Sequence, residues 1–358
     1  MTFEEVRAAF PVLERFAYLN AGTFGPLPTP VADALAERQR LDLEQGRSGP
    51  PYFDAVLAAR EGARTKLAAT MGVEPENVAL TSSTTDGCNI VLAGLGLGAE
   101  DEIVTTDAEH FGLVGALGAS AARICVAAVG DRGGEEALAT VLAAVGPRTR
   151  LIALSHVLWT TGNVIPVQAL KEQTGLPLLV DGAQSVGAIP VDARPFDFYA
   201  VSCQKWLCGP DATGALYVAD PDSLRVMLPS YFSQQEYEPD GTYTPKTGAA
   251  RFDSGWLAPA ALAGLQAALD FHPEWRFERS AGMAARCRER LAERVELVTK
   301  PGQANLVTWR ADGDPEQIAL RAYEQGVVIR NLPRTDLLRA SCGYWTSDED
   351  LDRLLAVL

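Results

Sequence analysis

Apolar runs of strand length alternate with helix-period stretches through the middle of the chain. VALTSS (78–83), DEIVTT (101–106), ARICVAAV (122–129), RLIALSHV (150–157), PLLVDGA (177–183), FDFYAVSC (196–203) and GALYVA (214–219) are nearly continuous in apolar residues, as strands buried on both faces are. Between them EEALATVLAAV (135–145) and VQALKEQ (167–173) repeat their apolar positions with a helical period and supply the crossovers. The pattern predicts an α/β fold, a mostly parallel central sheet flanked by helices. The stretch Tyr231–Trp256 is polar, rich in Gly and aromatics and weakly periodic, and reads as a long functional loop. LAPAALAGLQAALDF (257–271) then begins a helical region, LVTWRA, GVVIRN and LLRASCGYW are short strands, and TSDEDLDRLLAVL closes as a helix with Thr346 and Glu349 at capping-box spacing. The expected organisation is an N-terminal arm over 1–20, a large domain over 21–245, and a smaller α+β domain over 246–358 on which the arm packs.

Composition narrows the partners. A chain of 358 residues, 47% hydrophobic, can bury a sizeable core. A formal charge of -15 leaves no basic excess for a nucleic-acid backbone or an anionic membrane, so a small-molecule substrate is expected. The start MTFEEVRAAF lacks a charged-then-apolar leader and no apolar run reaches bilayer length, which reads as a cytoplasmic protein. The 6 cysteines are scattered without a CxxC pair and there are 3 histidines, which suits reduced thiols rather than zinc or a disulfide framework.

The chemistry concentrates between Pro177 and Gly214. In an open parallel sheet ligands bind at the carboxyl ends of strands, and Asp181 ends one predicted strand while Ser202 to Lys205 end the next. A buried carboxylate can hold a heteroaromatic nitrogen protonated, and a lysine beside it can form a Schiff base with an aldehyde; together they describe a pyridoxal-phosphate site. Each also has a plainer reading, a helix cap for the Asp and a surface amine for the Lys. Thr84 and Thr85, in TSSTTDGCN, stand where a strand gives way to a helix, where backbone amides favour an anion and where a simple cap is the alternative.

The run VDGAQSVGAIPVD…DFYAVSCQKWLCGP…GALYV resembles the class V branch of fold-type-I pyridoxal-phosphate enzymes, which includes cysteine desulfurases, isopenicillin-N-epimerase-like proteins and carbon-sulfur lyases. The likeness runs from FPVLERFAYLNAGTFGPLP to RASCGYWTSDEDLDRLL, nearly the whole chain. It implies pyridoxal 5'-phosphate on Lys205, Asp181 against the pyridinium nitrogen, Gln184 near the phenolic oxygen and His110 stacked on the ring. It places the phosphate at Thr84, Thr85 and Ser202. It makes Arg339 a bidentate clamp for the substrate carboxylate, with an internal ion pair as the alternative, Arg330 a second clamp, and brings Asn20 and Gly22 toward the substrate. It also implies a homodimer whose sites lie at the subunit interface, approached by the loop ARFDSGWLAP. Trp256 stands there in place of a phosphate-contacting Thr, leaving Ser254 as the candidate for that role.

Departures from the family pattern point to the reaction. Gln204 replaces the histidine usual before the lysine; it still donates a hydrogen bond but does not titrate near neutrality. Cysteine desulfurases carry a nucleophilic Cys on a loop before the clamp arginine, whereas NLPRTDLL, between Arg330 and Arg339, has none, and Cys342 falls on a predicted core strand. Trp159 occupies a position where relatives commonly have Asn, so a contact to the cofactor is expected from Thr160 or Thr161 instead. The combination looks most like the cysteine/cystine carbon-sulfur lyases of the branch, which implies β-elimination of cystine, cysteine or another S-substituted cysteine to pyruvate, ammonia and a thiol or persulfide. The alternatives are a class V aminotransferase or epimerase, a desulfurase-like enzyme, or a sulfoxide lyase for a bulkier cysteine derivative. A non-enzymatic module is disfavoured because Lys205 and Asp181 are both present.

Overall fold

A computed structural model describes residues 1–358. The seven predicted apolar runs form one sheet, with strands β1 (Val78–Thr81), β2 (Glu102–Thr106), β3 (Arg123–Ala127), β4 (Thr149–Ser155), β5 (Leu178–Asp181), β6 (Phe198–Ser202) and β7 (Gly214–Val218). Their spatial order is β1-β7-β6-β5-β4-β2-β3. β6, β5, β4, β2 and β3 pair in parallel, and β7 runs antiparallel to both its neighbours. Alternate residues of these strands feed two apolar cores, one on each face, and every residue of β5, β6 and β7 is buried. Each fully buried Leu or Val there, such as Leu178 and Val180, contributes roughly 1.5–3 kcal/mol of transfer free energy. β3, at the sheet edge, is partly exposed, as its charged first residue Arg123 allows.

Residues 306–310, 337–341 and 330–331 form a second, antiparallel sheet of three strands, covered by the helices Arg276–Ala292, Pro315–Glu324 and Asp348–Ala356. The start of the chain is tied to this unit. Ala17 and Tyr18 pair in parallel with Val327 and Val328, Asn20 bridges to Ser341, and Arg7 donates to both Asp350 carboxylate oxygens at 2.7 and 3.1 Å. No helix is long and apolar enough to cross a membrane.

Packing revises three expectations. The helix Pro259–Phe271 lies against Thr29–Gln45 and Gly49–Met71, and its Leu262 and Leu265 join the core of the large sheet, so the large unit extends past 245. Tyr231–Trp256 contains an antiparallel hairpin, Gln234–Tyr237 with Tyr243–Pro245, and a short 3-10 helix, Gly248–Phe252. The last helix is capped by Ser347 with Asp350, not by Thr346 with Glu349. Both pairs have the right spacing, but Asp350 also takes Arg7, and that second contact is available in only one register.

Candidate active site

β4, β5 and β6 end side by side at Ser155, Asp181 and Ser202, and a cavity opens beyond those ends. Its walls include Thr84, Thr85, His110, Ser155, Trp159, Asp181, Gln184, Ser202, Gln204 and Lys205. The structure thus brings Thr84, Thr85, His110, Asp181, Gln184, Ser202, Gln204 and Lys205 to one cavity. Asp181 Oδ1 accepts from Ala183 N at 2.9 Å. Burial raises its pKa, opposed by the charge of Lys205 and by that backbone bond. Lys205 is pushed down to about 8, chiefly by burial, with Asp181 working against the shift and Arg339 adding to it. A sizeable share of the amine is therefore neutral near physiological pH, which is the form that attacks a carbonyl.

At one end of the cavity the helix Thr84–Leu95 begins. Ser83 caps it by accepting from Asp86 N at 3.2 Å, and Ser202 Oγ accepts from Thr84 N at 2.9 Å and lies 2.7 Å from Thr84 Oγ1. Thr85 is exposed one residue further. The arrangement gives a helix N-terminus with two or three hydroxyls, a suitable seat for a phosphate. Ser254, the candidate for a contact across subunits, instead donates to Asp86 of its own chain, and Trp256 is half exposed.

Nearby, His110 meets Trp159 edge to face, with centroids 5.1 Å apart and planes at 86°. His110 Nδ1 accepts from Gly112 N at 3.1 Å, so its proton is on Nε2 when the ring is neutral. Burial, then the charges of Lys205, Arg339 and Arg330, lower its pKa and favour that neutral form. Gln184 is clamped through both ends of its amide: Nε2 donates to Gly22 O at 2.8 Å and Oε1 accepts from Trp206 Nε1 at 2.9 Å. Gln204 Oε1 is buried without a partner.

Arg339 is 1% exposed and makes no ion pair. Its Nη1 donates to Trp159 O at 2.6 Å and its Nη2 to Thr23 Oγ1 at 3.4 Å, while Nε has no acceptor. Burial, reinforced by Arg330, lowers its pKa to about 9. Arg330 is its cross-strand partner and is half-buried without an ion pair of its own. Asn20 acts one step back: its Oδ1 accepts from Thr23 Oγ1 at 2.9 Å. Gly22 passes so close that a Cβ would stand 2.7 Å from Arg339 Nη2, which explains a glycine at that position.

Three features escaped sequence reasoning. Neither Thr160 nor Thr161 lines the cavity, whereas Trp159 does; the Thr160 carbonyl accepts from Thr308 Oγ1 and Thr161 Oγ1 accepts from Asn163 N. Glu109, beside His110, is a buried carboxyl held by Thr106 Oγ1 at 2.6 Å and by Ser155 N and Oγ at 3.0 and 2.5 Å. Its pKa is raised to about 7, mainly by burial and with help from Asp181, while those hydroxyls pull it down. Ser155 is the cross-strand partner of Asp181. Its place at the end of a predicted strand was the available signal.

Comparison with known proteins agrees with this geometry. The model of the family described as aminotransferase class-V matches residues 18–354. Isopenicillin N epimerase of Amycolatopsis lactamdurans is 32% identical over 95% of this chain and 94% of its own. A cysteine desulfurase of Klebsiella pneumoniae subsp. pneumoniae is 33% identical over 76% of this chain and 72% of its own. Among solved structures, a lysine-to-alanine variant of C-DES with glycine covalently linked to its PLP cofactor superposes with a TM-score of 0.90 at 30% identity, covering 98% of each chain. C-DES is named a cystine C-S lyase in its complex with cysteine persulfide, which superposes at 0.88 with 30% identity over 97% of this chain and 98% of that one. The chain belongs to the class-V aminotransferase family and is a pyridoxal-phosphate-dependent enzyme.

Proposed function

We propose that this enzyme is a carbon-sulfur lyase that cleaves cystine, cysteine or a related S-substituted cysteine by β-elimination to pyruvate, ammonia and a thiol or persulfide. The observation that carries the reading is the make-up of the cavity wall: it holds an amine, one carboxyl, hydroxyls and aromatic rings but no cysteine. Five of the six thiols are buried elsewhere, Cys342 among them in the core of the small unit, so a sulfur-accepting nucleophile is missing where a desulfurase needs one. Elimination needs none.

The wall fits the cofactor. Gln204 Oε1 and Trp159 Nε1 are buried polar atoms without protein partners, and an occupant with complementary groups is what such atoms require. Thr84, Thr85 and Ser202 would hold the phosphate, Asp181 the ring nitrogen, His110 the ring face, and Lys205 the aldehyde carbon, with Gln184 and Gln204 bordering the ring. When bound, pyridoxal phosphate supplies a carbonyl for amines and a ring that accepts electron density from the α-carbon. The remaining work falls to the chain. Asp181 keeps a proton on the ring nitrogen, and Arg339 with Arg330 and Asn20 orients the substrate carboxylate. Lys205 Nζ would take the α-proton, and its lowered pKa brings it near the operating pH. Neutral His110 can pass its Nε2 proton to the departing sulfur. We also read the chain as a homodimer of this unit, which sizing of the purified protein would test.

The deciding assay incubates the cofactor-loaded protein with L-cystine and L-cysteine and measures pyruvate, alanine and sulfide, with Lys205→Ala as control. Pyruvate with sulfane sulfur from cystine, lost in the variant, supports the lyase. Alanine overturns it in favour of desulfuration. Exchange of the α-proton with inversion and no pyruvate would favour an epimerase, the reading that the full-length likeness to isopenicillin N epimerase supports second.

A further inference from the structure

Glu109 is a buried carboxyl for which the chemistry described so far has no use. Its Oε1 accepts from Thr106 Oγ1 at 2.6 Å, and its Oε2 lies 3.0 Å from Ser155 N and 2.5 Å from Ser155 Oγ. Ser155 ends β4 in register with Asp181 on β5, and both line the cavity, so their side chains rise on one face of strands about 4.8 Å apart. Asp181 Oδ1 is taken by Ala183 N, while Oδ2 receives no donor from the protein. No cation answers Glu109. Asp181 stands beside it with a like charge, and Lys205 acts on Asp181. The Cys88 thiol, on the helix Thr84–Leu95, is kept neutral by burial and then by both carboxyls. On either side in sequence, His110 Nδ1 is turned to Gly112 N and Asp107 to Gly130 N. Two buried carboxyls with one lysine to answer them hold one negative charge more readily than two. The proton falls to Glu109, the one that lacks the lysine, in keeping with its pKa of about 7.

We propose that Glu109 is a positioning residue for the ring-nitrogen end of the cofactor site: as a neutral acid it donates from Oε2 to Ser155 Oγ, and Ser155 turns its own proton to the Asp181 carboxylate. The proposal rests on the reading of Asp181 as the partner of the ring nitrogen, but not on elimination. No proton changes owner along this chain; each hydroxyl only turns. A protonated Oε2 donates to Ser155 Oγ and still accepts Ser155 N–H on its remaining lone pair, which a carboxylic acid offers at one atom and an amide does not. The added donor helps to keep Asp181 ionised and fixed for the ring nitrogen. Once Glu109 ionises it can only accept, the Ser155 proton swings back to it, and Asp181 loses that donor. The charge state of one buried carboxyl thus decides how firmly the other is held.

The test measures the affinity of the apoprotein for pyridoxamine 5'-phosphate, which has the ring nitrogen but no aldehyde to condense with Lys205, through the ligand's own fluorescence. Ser155→Ala is expected to weaken binding about tenfold at about pH 6, where Glu109 is neutral, and to make little difference at about pH 9, where the hydroxyl already faces Glu109. Glu109→Gln should match Ser155→Ala at the lower pH. Its amide has to present oxygen to Ser155 N and so cannot donate to Oγ, and since Glu and Gln are both neutral there, only the direction of the hydrogen bond is compared. A loss in Ser155→Ala that is the same at both pH values marks a structural hydroxyl and overturns the proposal. So does binding as tight as wild type by either variant at the lower pH. A second readout needs no ligand: the infrared carbonyl band of a neutral carboxylic acid should be present in the wild-type apoprotein at the lower pH, fade as pH rises, and be missing from Glu109→Gln. If the spectra of the two proteins do not differ in that band, the proposal fails. A negative result with cystine would sink the lyase reading and leave both measurements intact, whereas a wild-type apoprotein that does not bind pyridoxamine phosphate would overturn this proposal together with the placement of the cofactor.

Discussion

Arg60 and Arg64 are as buried as Arg339, at 2% and 4% exposure against 1%, yet their surroundings differ. Asp253, itself fully buried, accepts from Arg60 at 2.9 Å and from Arg64 at 2.8 and 3.0 Å, and takes Leu80 N at 2.8 Å. That cluster ties the helix Gly49–Met71 to β1 and to the loop carrying Ser254, and its charges are largely answered from within. Arg339 has a carbonyl and a hydroxyl but no acid. A buried cation costs several kcal/mol to desolvate, and evolution can offset that inside the fold or leave the offset to a visitor. On the proposed function, the difference separates an arginine that holds structure from one that waits for substrate.

Substitutions can break that contrast. Arg339→Leu should lower kcat/KM for the amino acid about a thousandfold by removing a charged, two-point contact, while thermal melts show a Tm unchanged or higher, since an unanswered cation has gone. A large loss of stability would instead class Arg339 with Arg60. Asp253→Asn should do the reverse, lowering unfolding free energy in urea by about 3–5 kcal/mol because two buried cations lose their partner. An unchanged midpoint would show that the cluster is not the anchor described.

Glu109 sharpens the comparison from the acidic side, as a buried carboxyl answered only by neutral donors. Held at about 7 against an ordinary value of 4.5, it keeps a proton in the folded protein that the unfolded chain has already lost in between. Stability of the apoprotein should therefore fall as pH rises through that window, by up to about 3 kcal/mol, and Glu109→Gln should flatten the slope. A slope identical in both proteins would rule it out. The smallest effect concerns Lys205: condensation of pyridoxal phosphate with the apoprotein should follow an apparent pKa of about 8, and Arg339→Leu should raise it by removing a nearby positive charge. No movement would mean the two groups do not sense each other.

The large sheet could be read from the chain because strands buried on both faces are written as unbroken apolar runs, and Asp181, Ser202 and Lys205 because they end such runs. The hairpin inside Tyr231–Trp256 was not legible. Gln234–Tyr237 is mostly exposed and polar, so no periodicity marks it. The unit boundary near 245 was misplaced since the helix Pro259–Phe271 has an apolar face that fits either core, and only packing chooses. Trp159 could be seen as a departure, but that its N–H is stranded depends on what lies around it in space. The same holds for Glu109, whose partners Thr106 and Ser155 include one from another strand.

The pairing of the first residues with the last has a consequence for synthesis. Arg7 and Asp350 are 343 residues apart, and Gly22 and Thr23 close over Arg339 from the opposite end of the sequence. While the chain is being made, the sheet that carries Asp181 and Lys205 can assemble long before Arg339 leaves the ribosome. A nascent or truncated chain can therefore possess the floor of the cofactor cavity and still lack Arg339, the residue we propose holds the substrate carboxylate. On that proposal, substrate recognition comes into being later than the floor on which the cofactor would sit.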